Sequence, residues 1–353
     1  MILDQDGSVW STMNDMYGDL PSLAHDNEFV KVVPSGATSI AAGATYSLVL
    51  KQDESLWARG RNYQGQLGDG TTITKAKFFF VEVFPGAKVV AAGTHHSMML
   101  THEGSVLATG CNTFGQLGDG TDYPKSRFLT VIPSGAVAVN AGDEHSVVMK
   151  RDGTVWASGR NFNGQLGDGT IVDKRSFVQV ISSGAVDVTA GGRYSLVVKQ
   201  GGSVWATGAN KYGQLGDGSN MDRWDYVLVV SSGAKTITAG SRHSLMLQHD
   251  GSLWATGCNL YGQLGDGSRT SKHVFMKVIS HGTVTIAAGA FHTMVVKDDG
   301  SIWATGCNKH GQLGQFDESE TTFSKFIKLT PLGAGLLCDD VRIHIYFNTS
   351  QQP

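Results

Sequence analysis

The sequence predicts an all-β protein, a seven-bladed β-propeller with four-stranded antiparallel blades, closed into a ring by a composite blade from the N- and C-termini. Two observations predict this fold. A glycine-rich heptad, "YGQLGDG" at Tyr212–Gly218, occurs with variations in seven copies whose opening glycines are spaced 47 to 50 positions apart. The residue eight positions before that glycine is tryptophan in six of the seven copies. Repeats of this length are typical of propellers.

Each unit is predicted to contain four strands. The segment Val186–Asn210 is rich in valine, threonine and aromatic residues and has no helical period. A polar loop and a short apolar strand such as Phe177–Ile181 follow each heptad, and "SGA" then turns the chain into the next unit. We assign the repeated residues to blade structure: Trp57, Trp156, Trp205, Trp254, Trp303, Gly65, Gly115, Gly164, Gly213, Gly262 and Gly311.

The turn between the second and third strands of a unit is most often Asp-Gly. Asp-Gly between apolar runs predicts a two-residue hairpin of type I′, in which both central residues have positive φ. The copy Asp53-Glu54 lacks the glycine, so we expect that turn to be strained or longer.

The two ends of the chain are predicted to complete one blade. The chain opens inside a hairpin at Met1, without the "AAG" strand that precedes the other hairpins. Apolar and polar residues alternate near the C-terminus, which predicts closing strands within residues 333–347 and a tail at 348–353. Residues 1–353 would then form a single propeller domain. An open solenoid is the alternative, but its ends would need polar capping units.

Composition is that of a folded protein without a strong charge bias. The chain has 41% hydrophobic and 17% charged residues, and its 46 glycines fit an architecture rich in turns. A net charge of −3 gives no general attraction to nucleic acid or anionic membranes. No stretch is apolar enough to span a membrane, and the first residues lack a secretory signal, so we expect a cytoplasmic or nuclear location without membrane association.

The cysteines are expected to be free thiols. Cys111, Cys258 and Cys307 occupy one position of the repeat, which other copies fill with arginine or alanine, and Cys338 lies apart from them. A paired disulfide framework is therefore not encoded.

These repeats resemble a known family. The stretch Ala239–Ser268, "AGSRHSLMLQHDGSLWATGCNLYGQLGDGS", is similar to the repeat of the regulator of chromosome condensation family, which includes alpha-tubulin-suppressor-like members. The resemblance covers essentially the whole chain and implies a seven-bladed propeller. Relatives include the exchange factor for the small GTPase Ran, recognition domains of ubiquitin ligases, a plant UV-B photoreceptor and a secreted β-lactamase inhibitor, so the fold does not fix the function.

Departures from these relatives bear on three of the functions. The photoreceptor's sensing tryptophans lie in a Gly-Trp-Arg-His-Thr motif, whereas segments such as "GTHHS" and "GSRHS" have no tryptophan at the second place. The exchange factor carries an inserted wedge and a basic N-terminal tail; the even spacing leaves no room for the wedge and no tail precedes Met1, so exchange activity is expected to be weakened. The inhibitor has shorter repeats and is exported.

The heptad also resembles a nucleotide-binding loop, but its context favours a structural role. A phosphate loop precedes a helix and carries lysine in a GK[ST] arrangement, and neither feature follows Gly65–Gly70. We expect the glycines to adopt positive φ and the leucine to pack between blades. The heptad aspartates occur once per blade, so they are expected to cap turns and not to converge on calcium, and we expect no metal and no cofactor.

Histidine–serine pairs recur but do not predict catalysis. His96, His145, His243 and His292 each precede serine or threonine, and tyrosine replaces histidine in two units. Adjacent residues on a strand point to opposite faces, so such a pair cannot share a proton. We expect a partly buried structural histidine in each blade and a protein without enzymatic activity.

Function is expected where the repeats differ. Five successive units place a cation five residues after the heptad, which on a ring would form a basic arc along one rim: Lys75, Lys125, Lys174, Arg223 and Lys272. The pair of residues before each histidine or tyrosine also varies and includes Arg193 and Arg242. Trp224, beside Arg223, is the strongest single anchor candidate because tryptophan and arginine are enriched at interface hot spots.

The sequence thus favours a non-catalytic protein–protein interaction platform. One alternative is guanine-nucleotide exchange on a small GTPase, and another is binding of nucleic acid or an acidic partner through the basic arc. We expect a protein partner, for which a small GTPase is one candidate. Nucleic acid is the weaker alternative.

Overall fold

The computed structural model describes residues 1–12, 29–314 and 321–329, together with the backbone of residues 342–343. These residues form 28 strands and contain no α-helix. The strands make seven four-stranded antiparallel sheets, which are numbered here as blades 1–7 in the order of their heptads. The predicted seven-bladed propeller is confirmed.

The first strand of each blade lies at the centre of the ring, against the first strands of its neighbours. These strands are β4 (Ala37–Ala42), β8 (Ala87–Ala92), β12 (Ala136–Ala141), β16 (Ala185–Ala190), β20 (Ala234–Ala239), β24 (Thr283–Ala288) and, in blade 1, β28 (Arg342–Ile343). The second strands are β1 (Ile2–Leu3), β5 (Tyr46–Lys51), β9 (His96–Thr101), β13 (His145–Lys150), β17 (Tyr194–Lys199), β21 (His243–Gln248) and β25 (His292–Lys297).

The third and fourth strands complete each blade toward the rim. The third strands are β2 (Val9–Thr12), β6 (Ser55–Gly60), β10 (Val106–Gly110), β14 (Val155–Gly159), β18 (Ser203–Gly208), β22 (Leu253–Gly257) and β26 (Ile302–Cys307). The fourth strands are β3 (Phe29–Val33), β7 (Lys75–Val83), β11 (Lys125–Ile132), β15 (Lys174–Ile181), β19 (Arg223–Val230), β23 (Lys272–Ile279) and β27 (Thr322–Lys328).

Blade 1 is composite. Strand β28 pairs antiparallel with β1, with Ile343 opposite Ile2 and Arg342 opposite Leu3. Closure therefore takes place within the predicted range 333–347. The rest of that range and the predicted tail lie outside the described residues, as do Cys338 and the first heptad.

The hairpin between the second and third strands differs from the predicted type I′ turn. Positive φ occurs at the glycine of each described Asp-Gly pair but not at the aspartate, as at Gly153 with φ of 76°. The amide of Gly153 donates to the Lys150 carbonyl at 3.0 Å, and that of Lys150 donates to the Thr154 carbonyl at 2.9 Å. This is the three-residue loop in which a type I turn is followed by one left-handed residue. Glu54, with φ of 62°, is the one non-glycine with positive φ among the described residues, which confirms the predicted strain.

The core lies between blades as much as within them. Val147 and Met149 of blade 4 pack in one cluster with Val188 and Val197 of blade 5. Four of the repeated tryptophans also pack against core clusters that include the preceding blade, and these are Trp10, Trp57, Trp254 and Trp303. Each described repeat tryptophan donates its indole N–H to the hydroxyl two residues earlier, and these bonds are Trp10–Ser8, Trp57–Ser55, Trp156–Thr154, Trp205–Ser203, Trp254–Ser252 and Trp303–Ser301.

No helix long and apolar enough to cross a membrane is found among the described residues.

Candidate functional site: the heptad face

In blades 2 to 6 two kinds of loop leave the blade on the same side of the ring. Because neighbouring strands run antiparallel, the loop from first to second strand and the heptad loop from third to fourth strand emerge together. We call this side the heptad face and the opposite side, with the Asp-Gly turns, the hairpin face. All eight predicted partner-binding residues therefore belong to the heptad face.

In blades 2 to 6 the opening glycine of the heptad contacts the backbone of the next blade. A Cβ on Gly164 of blade 4 would lie 2.6 Å from the carbonyl oxygen of Arg223 and from the Cα of Trp224 in blade 5. The amide of Gly169 then donates to the Trp224 carbonyl at 3.0 Å. Gly65, Gly115, Gly213 and Gly262 make the equivalent contact. The heptad is therefore an inter-blade contact, and its glycines allow two backbones to approach closely.

The heptad aspartate and the preceding asparagine hold the loop in shape. Asp69 accepts hydrogen bonds from the Thr71 amide and from Asn62 Nδ2, both at 2.9 Å. Asn62 Oδ1 in turn accepts from the amide of Leu67, a fully buried side chain. Although burial opposes ionisation, the hydrogen bonds from Thr71 and Asn62 lower the pKa of Asp69. The predicted turn-capping role is confirmed.

The cations of the basic arc each form an ion pair inside their own blade. The Nζ of Lys174 lies 3.1 Å from Asp168 Oδ2, and the guanidinium of Arg223 lies 2.7 Å from Asp217 Oδ2. Lys75, Lys125 and Lys272 pair in the same way with Asp69, Asp119 and Asp266, at 3.6, 3.2 and 3.3 Å. The five cations occupy equivalent positions in successive blades, but each of them is paired with a carboxylate six residues earlier in the chain. Its net field is correspondingly weak.

Two of the other three candidates are exposed. Trp224 is 53% exposed and lies at the start of β19, over Gly164 of the preceding blade. Arg193 is exposed and Arg242 is half-buried, each in a loop from first to second strand. The loops that carry Arg193 and Arg242 contact each other, since the Gly192 amide donates to the Gly240 carbonyl at 3.3 Å.

The repeated histidines are more buried than the sequence suggested. His96 Nε2 lies 3.0 Å from Ser146 Oγ of the next blade, and this hydroxyl donates to the Gln116 carbonyl. Because the serine proton is used there, Nε2 must carry the hydrogen and donate to Ser146. Burial lowers the pKa of His96 to about 3. These neutral, enclosed rings connect blades, and none faces its own neighbouring serine.

Six side chains from blades 5, 6 and 7 form a continuous cation–aromatic band on the heptad face. The guanidinium of Arg242 lies 5.1 Å from the ring centre of Tyr212 and 6.0 Å from that of Phe291. Tyr261 packs edge-on against Phe291 with ring centres 5.3 Å apart. The ends are Lys211 over Tyr212 at 5.7 Å and Lys309 over Tyr261 at 5.4 Å. We call Lys211, Tyr212, Arg242, Phe291, Tyr261 and Lys309 the band.

Acidic side chains lie beside the band in blade 4. Glu144 forms an ion pair with Arg160, whose guanidinium covers the ring of Phe114 at 4.6 Å. Asp143 accepts a hydrogen bond from Thr94 at 3.1 Å. Burial raises the pKa of Asp143 to about 6, against the effect of Thr94.

Exposed apolar side chains also accumulate on the heptad face, and sequence reasoning missed them. Four successive blades place one two residues before the arc cation, and these are Ile73, Tyr123, Val172 and Met221. Tyr123 is 70% and Met221 66% exposed. A second set follows the heptad asparagine directly, at Tyr63, Phe162 and Leu260. Their equal positions in the repeat were visible in the sequence, but exposure depends on the loop conformation.

Family models for the regulator of chromosome condensation (RCC1) repeat match this chain. One matches residues 103–149, 152–198, 201–247 and 250–296, and another matches 88–116, 136–165, 185–214, 234–263 and 284–312. The chain belongs to the RCC1 repeat family. The family resemblance inferred from the heptads is thereby confirmed.

Solved RCC1-like structures share this fold. Human WBSCR16 superposes with a TM-score of 0.78 at 21% identity, over 91% of this chain and 87% of that one. Yeast RCC1 (Prp20), solved bound to Kap60, superposes with a TM-score of 0.74 at 19% identity, over 84% of this chain and 75% of that one. Prp20p of Saccharomyces cerevisiae, characterised for binding to Gsp1p and histones, gives 0.72 at 21% identity, over 84% and 77%. No curated protein sequence matches significantly.

Proposed function

We propose that this RCC1-family propeller is a non-catalytic platform that binds a protein partner through its heptad face. The observation that carries the proposal is the set of exposed apolar side chains at repeated positions of that face, which includes Ile73, Tyr123, Val172 and Met221. Large apolar side chains that are exposed on one face beside charged residues make that face a candidate protein interaction site. Trp224 adds an exposed aromatic at the rim.

The rigidity of the loops supports this role. The heptad loops are held by asparagine and aspartate hydrogen bonds and by backbone contacts to the next blade, as at Asn161 and Gly164. Loops that are ordered before binding lose little conformational entropy when a partner docks. The yeast relative solved with Kap60 and studied with Gsp1p and histones is a propeller of this family with protein partners.

The test compares the two faces of the ring. Tyr123→Glu/Met221→Glu alters the heptad face, and Val137→Glu/Val186→Glu is the matched control at exposed valines of the first strands. Each tagged full-length variant is used to capture proteins from a lysate of the source cells, which are then quantified by mass spectrometry. We expect partners that the heptad-face variant loses and the control keeps. Identical captured proteins for all three chains would contradict the proposal.

Guanine-nucleotide exchange is the second candidate function. It is favoured by the fold shared with Prp20p, which was characterised for binding to Gsp1p. Such an exchange factor would act by distorting the nucleotide site of the GTPase, without a catalytic side chain of its own. Release of a fluorescent guanine nucleotide from a panel of small GTPases tests it, and unchanged release rates across the panel would refute it. A cytoplasmic or nuclear location accompanies both candidates.

Nucleic-acid binding through the basic arc receives less support. The arc cations are paired with heptad aspartates, so few of these charges remain to displace counterions from a phosphate backbone. A steep loss of oligonucleotide affinity with rising salt would favour this alternative, and a flat response would exclude it.

A further inference from the structure

The cation–aromatic band differs from the basic arc in how its charges are used. Among the ion pairs formed by the described residues, none includes Lys211, Arg242 or Lys309. Their positive groups instead lie against aromatic rings, and Arg242 also donates from Nη1 to the Tyr212 hydroxyl at 3.2 Å. Exposed Arg193 adds a further cation in the neighbouring loop, where the Gly192 amide donates to the Gly240 carbonyl.

The band also alternates with apolar surface around the ring. The position after the heptad asparagine is Phe162 in blade 4, Lys211 in blade 5, Leu260 in blade 6 and Lys309 in blade 7. Phe162 is 65% and Leu260 57% exposed, and both lysines are exposed. A ligand that spans these blades would therefore meet apolar and cationic side chains in turn.

Resting on the proposed function, we propose that the band is the docking site for an acidic, partly apolar peptide segment of the partner. Aspartate and glutamate side chains accept the charge-assisted hydrogen bonds that Arg242, Lys211 and Lys309 offer. Leucine or aromatic side chains of the same segment pack against Leu260 and Phe162. Such a ligand satisfies both the charge and the apolar surface.

A single-stranded nucleic acid fits these observations less well. Its bases would need open aromatic faces for stacking. The rings of Tyr212 and Tyr261 are already covered by Lys211, Arg242 and Lys309. A nucleic acid also brings no aliphatic side chain to pack against Leu260. The paired cations of the basic arc do not extend the band into a track for phosphates.

The probe is a short fluorescent peptide in which pairs of aspartate or glutamate alternate with leucine or phenylalanine. Binding to the full chain is followed by fluorescence anisotropy. A peptide with lysine in place of the acidic residues and a fluorescent oligothymidylate are measured in parallel. We expect the acidic peptide to bind more tightly than both. Oligothymidylate binding as tight as that of the acidic peptide would overturn the proposal.

Variants locate the binding to the band. Lys211→Glu/Lys309→Glu should lower the affinity for the acidic peptide by about tenfold or more, because two attractive charges become repulsive. The matched control is Lys88→Glu/Lys235→Glu, which reverses two exposed lysines of first strands β8 and β20. The control should leave the affinity unchanged. Because all four lysines are exposed, neither variant should disturb folding, and thermal unfolding checks this.

A third variant separates the band from a general charge effect. Arg242→Lys keeps the charge but removes the planar group that lies against Tyr212 and Phe291. This change should lower the affinity for the acidic peptide several-fold. Equal binding by wild type, Lys211→Glu/Lys309→Glu and Arg242→Lys would overturn the proposal.

Failure of this proposal differs from failure of the proposed function. A partner captured through Tyr123 and Met221 that is insensitive to Lys211→Glu/Lys309→Glu would refute the acidic segment and leave the platform intact. Peptide binding by the band without any protein captured through the heptad face would refute the platform alone.

Discussion

At the scale of single residues, Glu54 shows that the hairpin of the repeat requires a residue with positive φ. It holds a left-handed conformation that glycine fills in the other described copies. The Glu54 carbonyl accepts from the Phe84 amide at 3.1 Å, which any residue at this position would preserve. Its side chain therefore adds strain without an evident compensating bond.

Glu54→Gly is expected to stabilise the fold by about 1 kcal/mol, because a left-handed conformation costs a non-glycine residue about that much. Denaturant unfolding of the variant and the wild type measures the difference. Gly153→Glu, the reverse change at the equivalent position of blade 4, should destabilise. A destabilised Glu54→Gly would show that the glutamate contributes a favourable interaction.

The ion pairs of the arc are also a residue-scale matter. Asp119 accepts from the Thr121 amide and from buried Asn112, whereas the Nζ of partly exposed Lys125 pairs with Asp119 and donates to the Thr121 hydroxyl at 3.5 Å. Asp119→Ala should cost about 1–3 kcal/mol because it leaves buried donors unsatisfied. Lys125→Ala should cost less than about 1 kcal/mol. Chemical denaturation of both variants measures this, and similar losses would contradict the assignment.

At the scale of elements, the heptad is a joint between neighbouring blades. Gly164 and Gly184 have nearly equal φ values of 77° and 81°, but only Gly164 faces another backbone. A Cβ on Gly184 would meet nothing within 4 Å. The pair therefore separates backbone strain from the cost of forcing blades apart.

Gly184→Ala should cost about 1 kcal/mol from its φ alone, and Gly164→Ala about 3 kcal/mol or more because the next blade must also move. The midpoint of thermal unfolding compares them. Equal midpoints would mean that the heptad loop can shift without disturbing blade 5.

Features that depend on repeat spacing are predictable from the sequence, whereas contacts that depend on loop conformation or on neighbouring blades are not. The strands and heptads repeat, so their number and order followed from spacing alone. The hairpin type was wrong because Asp-Gly suits both a type I′ turn and a type I turn with one left-handed glycine. The pairing of Lys174 with Asp168 was missed because it depends on how the intervening loop folds back. The band was missed because Arg242 and Tyr212 come from different blades.

At the scale of the whole molecule, buried histidines connect the ring and make its stability depend on pH. Burial lowers the pKa of His96, His243 and His292 to about 3 and that of His145 to about 4. The unfolded chain takes up these protons near pH 6.5 and the folded chain does not. Stability should therefore be full above pH 6.5 and fall as the pH decreases below it.

Each such histidine should contribute a slope of about 1.4 kcal/mol per pH unit between pH 6.5 and its folded pKa. Asp143 acts in the opposite direction, because its raised pKa gives stability that is lost as pH rises from about 4 to about 6. Unfolding free energies measured at several pH values test the sum.

His145→Tyr is the matched variant, since Tyr46 and Tyr194 fill this position in two blades. The variant should stay folded, and the slope of its unfolding free energy against pH should fall by the contribution of about one proton. An unchanged slope would show that His145 does not remain neutral in the folded state.

The heptad contacts give the ring a direction. Each described heptad loop packs against the blade that follows it in the ring, so an arc of such blades has an uncovered heptad loop at one end and an uncovered docking surface at the other. Only closure between blades 7 and 1, where Gly314 meets Phe29, removes both. A fragment with blades deleted would carry complementary ends and should associate head to tail into open chains. Size-exclusion chromatography of such a fragment would show this as concentration-dependent polymers, whereas the closed ring has no free ends of this kind.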